Sequence, residues 1–569
     1  MAVPTASAET RAVDVFLQYL RAEGVRHVFG IPGGLSYPFF EAVERAADLE
    51  LVVAKHEQGA AFMADGYARQ SGRLAVCAGT GGPGSTNLLT GVACAYADGV
   101  PLLVVTGQAA RDALGTGAAR ETPREDIDIV AMFAPITKYS AMVTSPETLS
   151  HHLRRALRRA LTGRPGPVHL NVPVDLWERR LGETWYAPRT YRPVTHAVDR
   201  ASVAVAGDAL LDAQRPVLLV GAGVAIARAH DEVRALAALV DARVATTPRA
   251  KGVFPEDDPR SLGVFGIAGH VAARETLLGG RVDVLAALGA SLDETTTFDG
   301  NSALQPARSL IQLDIDPDRI GRTNPVDVAL VGDARAILGE LVTYVRHAIE
   351  RGRAPRSQWA AEPPPPRGDA RYEDPALRSS DAVPLTPQRW RAELREVLPE
   401  NAVVYSDIGG HMLFNLHHLE VRAGQSFVLN LGFGSMGHGT VAPIGAALAA
   451  PDRPVIAIVG DACFTMNGME LLTAAEYDVP VIWIVENDYM HGVTWHGSAA
   501  IGSCPESIRY RRRVDIAPLA AAMGLPVSLV GRPGTIKRAL AEALARKGPS
   551  VIEVLVDGRS CSLAGFIRR

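Results

Sequence analysis

Two acidic residues stand where buried strands should end. Asp461 follows the apolar run PVIAIVG, and Asp488 follows VIWIVEN, 27 positions later. In a parallel sheet, ligands gather outside the carboxyl ends of the strands. One helix and one strand fill the 27 positions, so the two carboxylates converge if the strands are neighbours. Two hard oxygen ligands at a sheet edge suit Mg²⁺ or Ca²⁺, above all a cation that also holds phosphate oxygens. The helix between them is expected to begin near Asn467–Gly468, with its positive end on the same rim. Either aspartate alone could merely cap a helix or a turn; the pair needs support from the rest of the chain.

The elements that must position such a pair recur along the whole sequence. Apolar runs ending in Gly or polar residues alternate with helical stretches, which predicts α/β domains with parallel, doubly wound sheets. At 569 residues the chain is too long for one core. Three blocks are expected, at residues 1–180, 200–350 and 386–569. The first carries HVFGIPGG, LELVVAKHE, LAVCAGTGGPG and PLLVVTGQ; the second PVLLVGAGVAIA, ARVATT, VDVLAALGAS and SLIQLDIDPD; the third NAVVYSDIG, FVLNLGFGSMG, PVIAIVGDA, VIWIVEND and SVIEVLV. Between the last two blocks, RAPRSQWAAEPPPPRGDARYEDPALRSSD reads as an extended connector that buries little. Three blocks of one class and similar size would suit a triplicated architecture.

Composition excludes several classes. Basic and acidic residues number 58 and 62, a net charge of −4, so nothing points to nucleic acid. No apolar run is long enough to cross a membrane. Cys77, Cys94, Cys463, Cys504 and Cys561 show no paired spacing and read as thiols of a reducing compartment. The start MAVPTASAETRAVDVFLQYL lacks the pattern of a secretion signal, so the cytoplasm is expected.

The segment GDA…ND resembles the thiamine diphosphate motif of the acetolactate synthase and pyruvate oxidase superfamily, and the likeness runs in order along the chain. VFGIPGG (28–34), KHEQGAAFMADGYAR (55–69), GGPGSTNLLTGVACAYADGVPLLVVTGQ (81–108), TTPRAKGVFPEDDPRSLGVFG (246–266) and GFGSMGHG (432–439) carry it. The resemblance implies a pyrimidine-binding domain, a central domain and a diphosphate-binding domain, in that order. It implies thiamine diphosphate as cofactor, with Mg²⁺ held by Asp461, Asp488 and the carbonyl of Met490. Glu57 would be the catalytic acid, exchanging a proton with the aminopyrimidine in a site shielded from water. Met436 would wedge the bound cofactor into a bent form. Pro32, Gly33, Pro83 and Asn87 would lie on the pyrimidine side. Gly434 and Ser435, small neighbours of Met436, would let the backbone approach the pyrimidine. Gly409, Gly410 and His411 would lie where diphosphate oxygens bind, with Gly460, Ala462, Cys463, His491, Gly492 and Val493 also at the cofactor. Ala462 replaces the usual Gly. The family faces its two cofactor domains across a subunit boundary, so a homodimer or homotetramer is implied.

The implied reaction is decarboxylation of a 2-oxo acid, pyruvate first, followed by ligation of the acyl carbon to an acceptor. Acetyl transfer to phosphate and simple decarboxylation are the alternatives, with a non-catalytic relative behind them. In the central block, VGAGVAIA with Asp241 about 20 positions on reads as a Gly-rich turn of the kind that binds dinucleotides. Acetolactate synthases often hold FAD there through a His and an Arg. This chain has GIAG (266–269), with Ala268 for the His, and GASLDET (289–295) without the Arg, so FAD stays open and unassigned. The stretches TGAARETPREDIDIV and HGVTWHG depart from the biosynthetic enzymes. With Arg120, Arg124 and RYRRR (509–513), they suggest a remodelled pocket for an anionic acceptor.

Overall fold

The computed structural model describes residues 10–123, 126–182, 185–193, 196–297, 304–503 and 505–559; Arg124, Cys504 and Cys561 lie outside them. Three six-stranded parallel sheets follow one another along the chain. The first contains β1 (His27–Gly30), β2 (Glu50–Val53), β3 (Ala75–Gly79), β4 (Leu102–Gln108), β5 (Ser140–Met142) and β6 (Val168–Pro173), in the order β2-β1-β3-β4-β6-β5. The second contains β7 (Pro216–Val220), β8 (Arg243–Thr246), β9 (Ser261–Val264), β10 (Val284–Leu288), β11 (Ser309–Asp314) and β12 (Val328–Val331), in the order β9-β8-β7-β10-β11-β12. The third contains β13 (Val403–Ser406), β14 (Ser426–Leu429), β15 (Val455–Gly460), β16 (Val481–Asn487), β17 (Val527–Val530) and β18 (Ser550–Leu555), in the order β14-β13-β15-β16-β18-β17. The central strands are apolar on both faces, as burial between helical layers demands. The first and third sheets share one strand order and the middle sheet has another, so the expected triplication holds only for the outer pair. No helix of the described residues is long and apolar enough to cross a membrane.

The two outer domains meet through helices from opposite ends of the chain. Glu57–Ser71 is capped by His56, whose Nδ1 accepts from the Gln58 amide at 3.1 Å, and stops at Gly72 in the left-handed conformation. It lies against His438–Ala449, and small residues let the backbones touch. A Cβ at Gly66 would fall 1.9 Å from the Ala442 carbonyl oxygen, and one at Gly445 would fall 1.8 Å from that of Met63. Around this crossing, Val52, Phe62, Val104 and Phe133 of the first domain share one hydrophobic core with Tyr405, Ile444, Val459 and Trp483 of the third. The buried Asp65 carboxylate adds a polar pin, at 2.6 Å from His438 Nε2 and paired with Arg69. Burial alone would raise its pKa; Arg69 and His438 override that and hold it at about 2. Gly445→Ala should therefore destabilise by about 1–3 kcal/mol or more, since neither backbone can yield. Thermal unfolding would show a lowered midpoint, and an unchanged one would mean the helices can separate freely.

The connector differs from expectation. Its 3₁₀ turns dock on the second and third domains. Trp359 Nε1 donates to the Pro216 carbonyl at 2.8 Å, beneath Arg243. Arg371 and Arg378 donate to the carbonyls of Glu256 and His418. One Trp, one Tyr and two Arg side chains are buried in a stretch whose prolines and charges concealed them.

Candidate active site

The paired aspartates do converge. β15 and β16 are parallel neighbours with Gly460 opposite Glu486, so Asp461 and Asp488 leave adjacent strand tips. The helix starts at Asp461 itself and runs to Asn467, where a 3₁₀ turn takes over, so its positive end lies at the aspartate and not at Asn467–Gly468 as expected. Tyr489 adopts φ 62°, rare for a side-chain-bearing residue, and its amide donates to Asp461 Oδ2 at 2.8 Å. The Ala462 amide donates to Asp461 Oδ1 at 2.6 Å, and the Met490 amide to Asp488 Oδ1 at 3.2 Å. Backbone at both tips is thus bent around the two carboxylates.

Electrostatically the pair is uncomfortable. Burial, reinforced by Glu486 and Glu553, pushes Asp461 up to about 7 against the pull of the two amides. Burial, then Asp461 and Glu486, pushes Asp488 well above the usual carboxylate range. Glu486 itself is compensated: its Oε2 accepts from Arg391 at 2.7 Å and from Trp390 Nε1 at 2.9 Å. A divalent cation between the aspartates would remove the repulsion that the chain leaves unpaired.

These carboxylates line a cavity of about 50 Å³ with four contributors. Gly409, Gly410 and His411 come from the end of β13; Met436 from the loop after β14; Gly460, Ala462 and Cys463 from the end of β15; Met490, His491, Gly492 and Val493 from the end of β16. Gly409, Gly410 and Gly460 leave backbone exposed where phosphate oxygens could approach. Gly434 and Ser435 do not line the cavity.

A residue not anticipated, Asp407, holds the Met436 loop. Its fully buried carboxylate accepts from the amides of Ile408, Gly437 and Thr440 and from the Thr440 hydroxyl, all within 3.2 Å. Gly437 needs its glycine, with φ 88° and Asn467 Oδ1 only 2.0 Å from where a Cβ would be. The sequence carries a signal for it, since Asp407 follows the apolar run AVVYS just as Asp461 follows PVIAIVG.

The other expected residues form a second group in the first domain. Glu57 is buried at the first position of its helix, and its Oε2 accepts from Asn87 Nδ2 at 2.9 Å. Gly84, next to Pro83, keeps open the space in front of Glu57 Oε1, and Gly33, next to Pro32, packs on Thr80 in the same group. Arg120, exposed and with φ 61°, overhangs Gly81 and Gly82 on this side. Within one chain none of these residues lines the Asp461–Asp488 cavity. The run RYRRR is irregular and borders the Asp488 tip through a bridge from Arg509 to Met490; Arg513 is spent on Asp515.

In the central domain a cavity of about 250 Å³ opens at the ends of β7, β10, β11 and β12, with Arg164, Arg319 and Asp314 on its walls. The GIAG stretch does not line this cavity. The Ile267 amide donates to Thr295 O at 2.9 Å, and Ala268 packs into the core of the third domain. His270 is nearby, but its Nδ1 accepts from the Val264 amide and its Nε2 faces the His417 carbonyl.

Family models agree with this layout. The thiamine pyrophosphate enzyme N-terminal TPP binding domain matches residues 10–132, the central domain 203–341 and the C-terminal TPP binding domain 407–554. The chain is 34% identical over 566 residues to a probable acetolactate synthase large subunit of Methanocaldococcus jannaschii, covering 96% of this chain and 92% of that one. It is 34% identical over 561 residues to the acetolactate synthase large subunit of Parasynechococcus marenigrum, with coverages of 95% and 87%. For the same subunit of Corynebacterium glutamicum the identity is 36% over 488 residues, with coverages of 84% and 75%.

Proposed function

The chain belongs to the thiamine pyrophosphate enzyme family, and on that premise we propose that it decarboxylates a 2-oxo acid, pyruvate first among them, and joins the retained acyl carbon to an acceptor. The observation that carries this reading is the pair of mutually repelling carboxylates, Asp461 and Asp488, over a glycine-walled cavity. It supports Asp461, Asp488 and the Met490 carbonyl as holders of Mg²⁺, which would in turn clamp the diphosphate against Gly409, Gly410 and Gly460. When bound, thiamine diphosphate supplies the carbon nucleophile and the electron sink of the reaction. The chain's own part is to position, to desolvate and to move one proton. Met436, packed against the shared core, would prop the ring system. Glu57, shielded from water and steadied by Asn87, would be the group to exchange that proton with the pyrimidine ring.

Separation of the Glu57 group from the metal pair within one chain supports a homodimer or a larger assembly in which Glu57 serves a second copy. Buried free thiols at Cys77, Cys94 and Cys463 support a cytoplasmic setting. FAD stays outside this proposal, because Ala268 offers no donor and is buried in the core of the third domain.

Dialysis against a chelator should abolish turnover, and Mg²⁺ with thiamine diphosphate should restore it. Mass spectrometry after incubation with a panel of 2-oxo acids and with neutral or anionic acceptors would then identify the product. A 2-hydroxy-2-acyl product supports ligation; acetyl phosphate or free aldehyde alone would replace ligation by one of its alternatives; no consumption of any 2-oxo acid would overturn the reading.

A further inference from the structure

The segment that presents Glu57 is held by the opposite domain. Glu470, Thr473 and Tyr477 follow i, i+3, i+7 spacing, so their side chains share one face of the rod that begins at Asp461. That face meets residues 51–59. The Glu470 carboxylate is 2% exposed and accepts from the Lys55 amide at 3.0 and 3.1 Å and from the His56 amide at 2.8 Å. Thr473 donates to Glu470 Oε2 at 2.9 Å. Tyr477 Oη takes the Val53 amide at 2.9 Å and gives its own proton to the Leu51 carbonyl at 3.1 Å. Gly59, one turn into the Glu57 helix, leaves room for the carboxylate: a Cβ there would fall 2.1 Å from Glu470 Oε1.

Lys55 and His56 are the two residues immediately before Glu57. Their amides have no helical partner, because the helix starts after them. In this part-buried contact each amide would otherwise lose a hydrogen bond to a charged acceptor, which is stronger than one to a neutral group. Glu470 therefore does more than cement two domains: it determines where the polypeptide turns into the helix whose first side chain is Glu57. The rod also has a second end, at Asp461. One continuous element carries a carboxylate of the cavity at its start and the grip on the Glu57 segment nine residues on.

We propose that Glu470 is a positioning residue for Glu57, holding from the diphosphate-binding domain the backbone that aims the Glu57 carboxyl. The proposal rests on the reading of Glu57 given above. Among the described residues, the first domain supplies no alternative acceptor to these two amides. Asn87 steadies the carboxyl head, while Glu470 steadies its base, and a group that must meet a ring nitrogen at hydrogen-bond distance needs both.

The test uses Glu470→Ala, Glu470→Gln and Glu470→Asp beside Glu57→Gln, all in the full-length protein reconstituted with thiamine diphosphate and Mg²⁺. For Glu470→Ala, kcat is expected to fall on the order of 10²-fold, the loss that a misplacement of about 1 Å brings. KM for the 2-oxo acid should stay within about threefold, which separates mispositioning from lost binding. The near-ultraviolet circular dichroism band of the bound pyrimidine's imino form should weaken in parallel. Glu470→Gln keeps one acceptor oxygen and should recover most of the turnover; Glu470→Asp, one methylene short, should not. If the Ala variant fails to fold, the Gln and Asp pair carries the comparison. A lower thermal midpoint with unchanged kcat per folded enzyme and an intact dichroism band would overturn the proposal and leave Glu470 a structural contact. Wild-type turnover by Glu57→Gln would instead sink the Glu57 reading itself, whatever Glu470 does.

Discussion

Glu57→Gln should bind thiamine diphosphate and Mg²⁺ but turn over roughly 10²- to 10⁴-fold more slowly than the wild type, the range that one positioned acid contributes. The amide is nearly isosteric with the carboxyl. It can keep the contact with Asn87, and it leaves the helix start and the Gly84 clearance unchanged. What it lacks is an exchangeable carboxyl proton. Steady-state kinetics together with a cofactor titration checks the result. Equal loss of binding and turnover would mean that Glu57 is a holder rather than an acid, and retained turnover would remove it from the chemistry altogether.

Asp488→Asn should separate stability from activity. Without the cofactor the substitution takes an ionisable group out of a buried, repelling pair, so the apo protein gains stability above neutral pH. With the cofactor, a direct ligand is weakened, and Mg²⁺-dependent binding should fall by more than the roughly 10- to 100-fold that loss of an outer partner brings. The pH dependence has a definite sign. An acid whose folded pKa lies above its unfolded value stabilises fully below the unfolded value, and that contribution is lost as pH rises through the folded one. For Asp461, pushed up to about 7 by burial and its acidic neighbours, the window for the apo protein runs from about 4 to about 7. The cation cancels the repulsion, so the rise in thermal midpoint on adding Mg²⁺ and cofactor to the wild type should be larger near pH 8 than near pH 5. Thermal scans at both pH values check it; a shift independent of pH, or a destabilised apo Asp488→Asn, would contradict the pairing.

Much of the fold was legible because buried parallel strands advertise themselves. Runs such as PVIAIVG and VIWIV are apolar on both faces and stop abruptly, and the acidic residues at their ends pointed to the rim where the cavity lies. Other strands were hidden for physical reasons. Val168–Pro173 contains His169 and Asn171, whose polarity argues against a core strand until Thr106, Ser140 and Gly107 are seen to take up their hydrogen bonds. Val527–Val530 is a short edge strand with Leu529 exposed, so it has no apolar period to read. The misplaced helix start reflects a Gly that looked like a boundary. Gly468 instead marks a change from α to 3₁₀ inside one rod, and Asp461 opens the helix without a separate cap. Asp407, Glu470 and Glu486 were missed for a common reason. A buried carboxylate is intelligible only with its donors, and those donors lie far off in the sequence: Gly437 and Thr440, Lys55 and His56, Trp390 and Arg391.

The glycine-lined helix crossing also bears on how the molecule is made. Residue 66 meets residue 442, so the early helix leaves the ribosome long before the surface it needs exists. At about 5–20 residues per second the nascent chain waits roughly 20–80 s for its counterpart. During that wait, the Gly and Ala positions of this face expose less apolar surface than a row of Leu would, and Phe62, Met63 and Tyr67 are the large apolar groups it still offers. Small residues at this seam thus serve the folded contact and the interval before it forms.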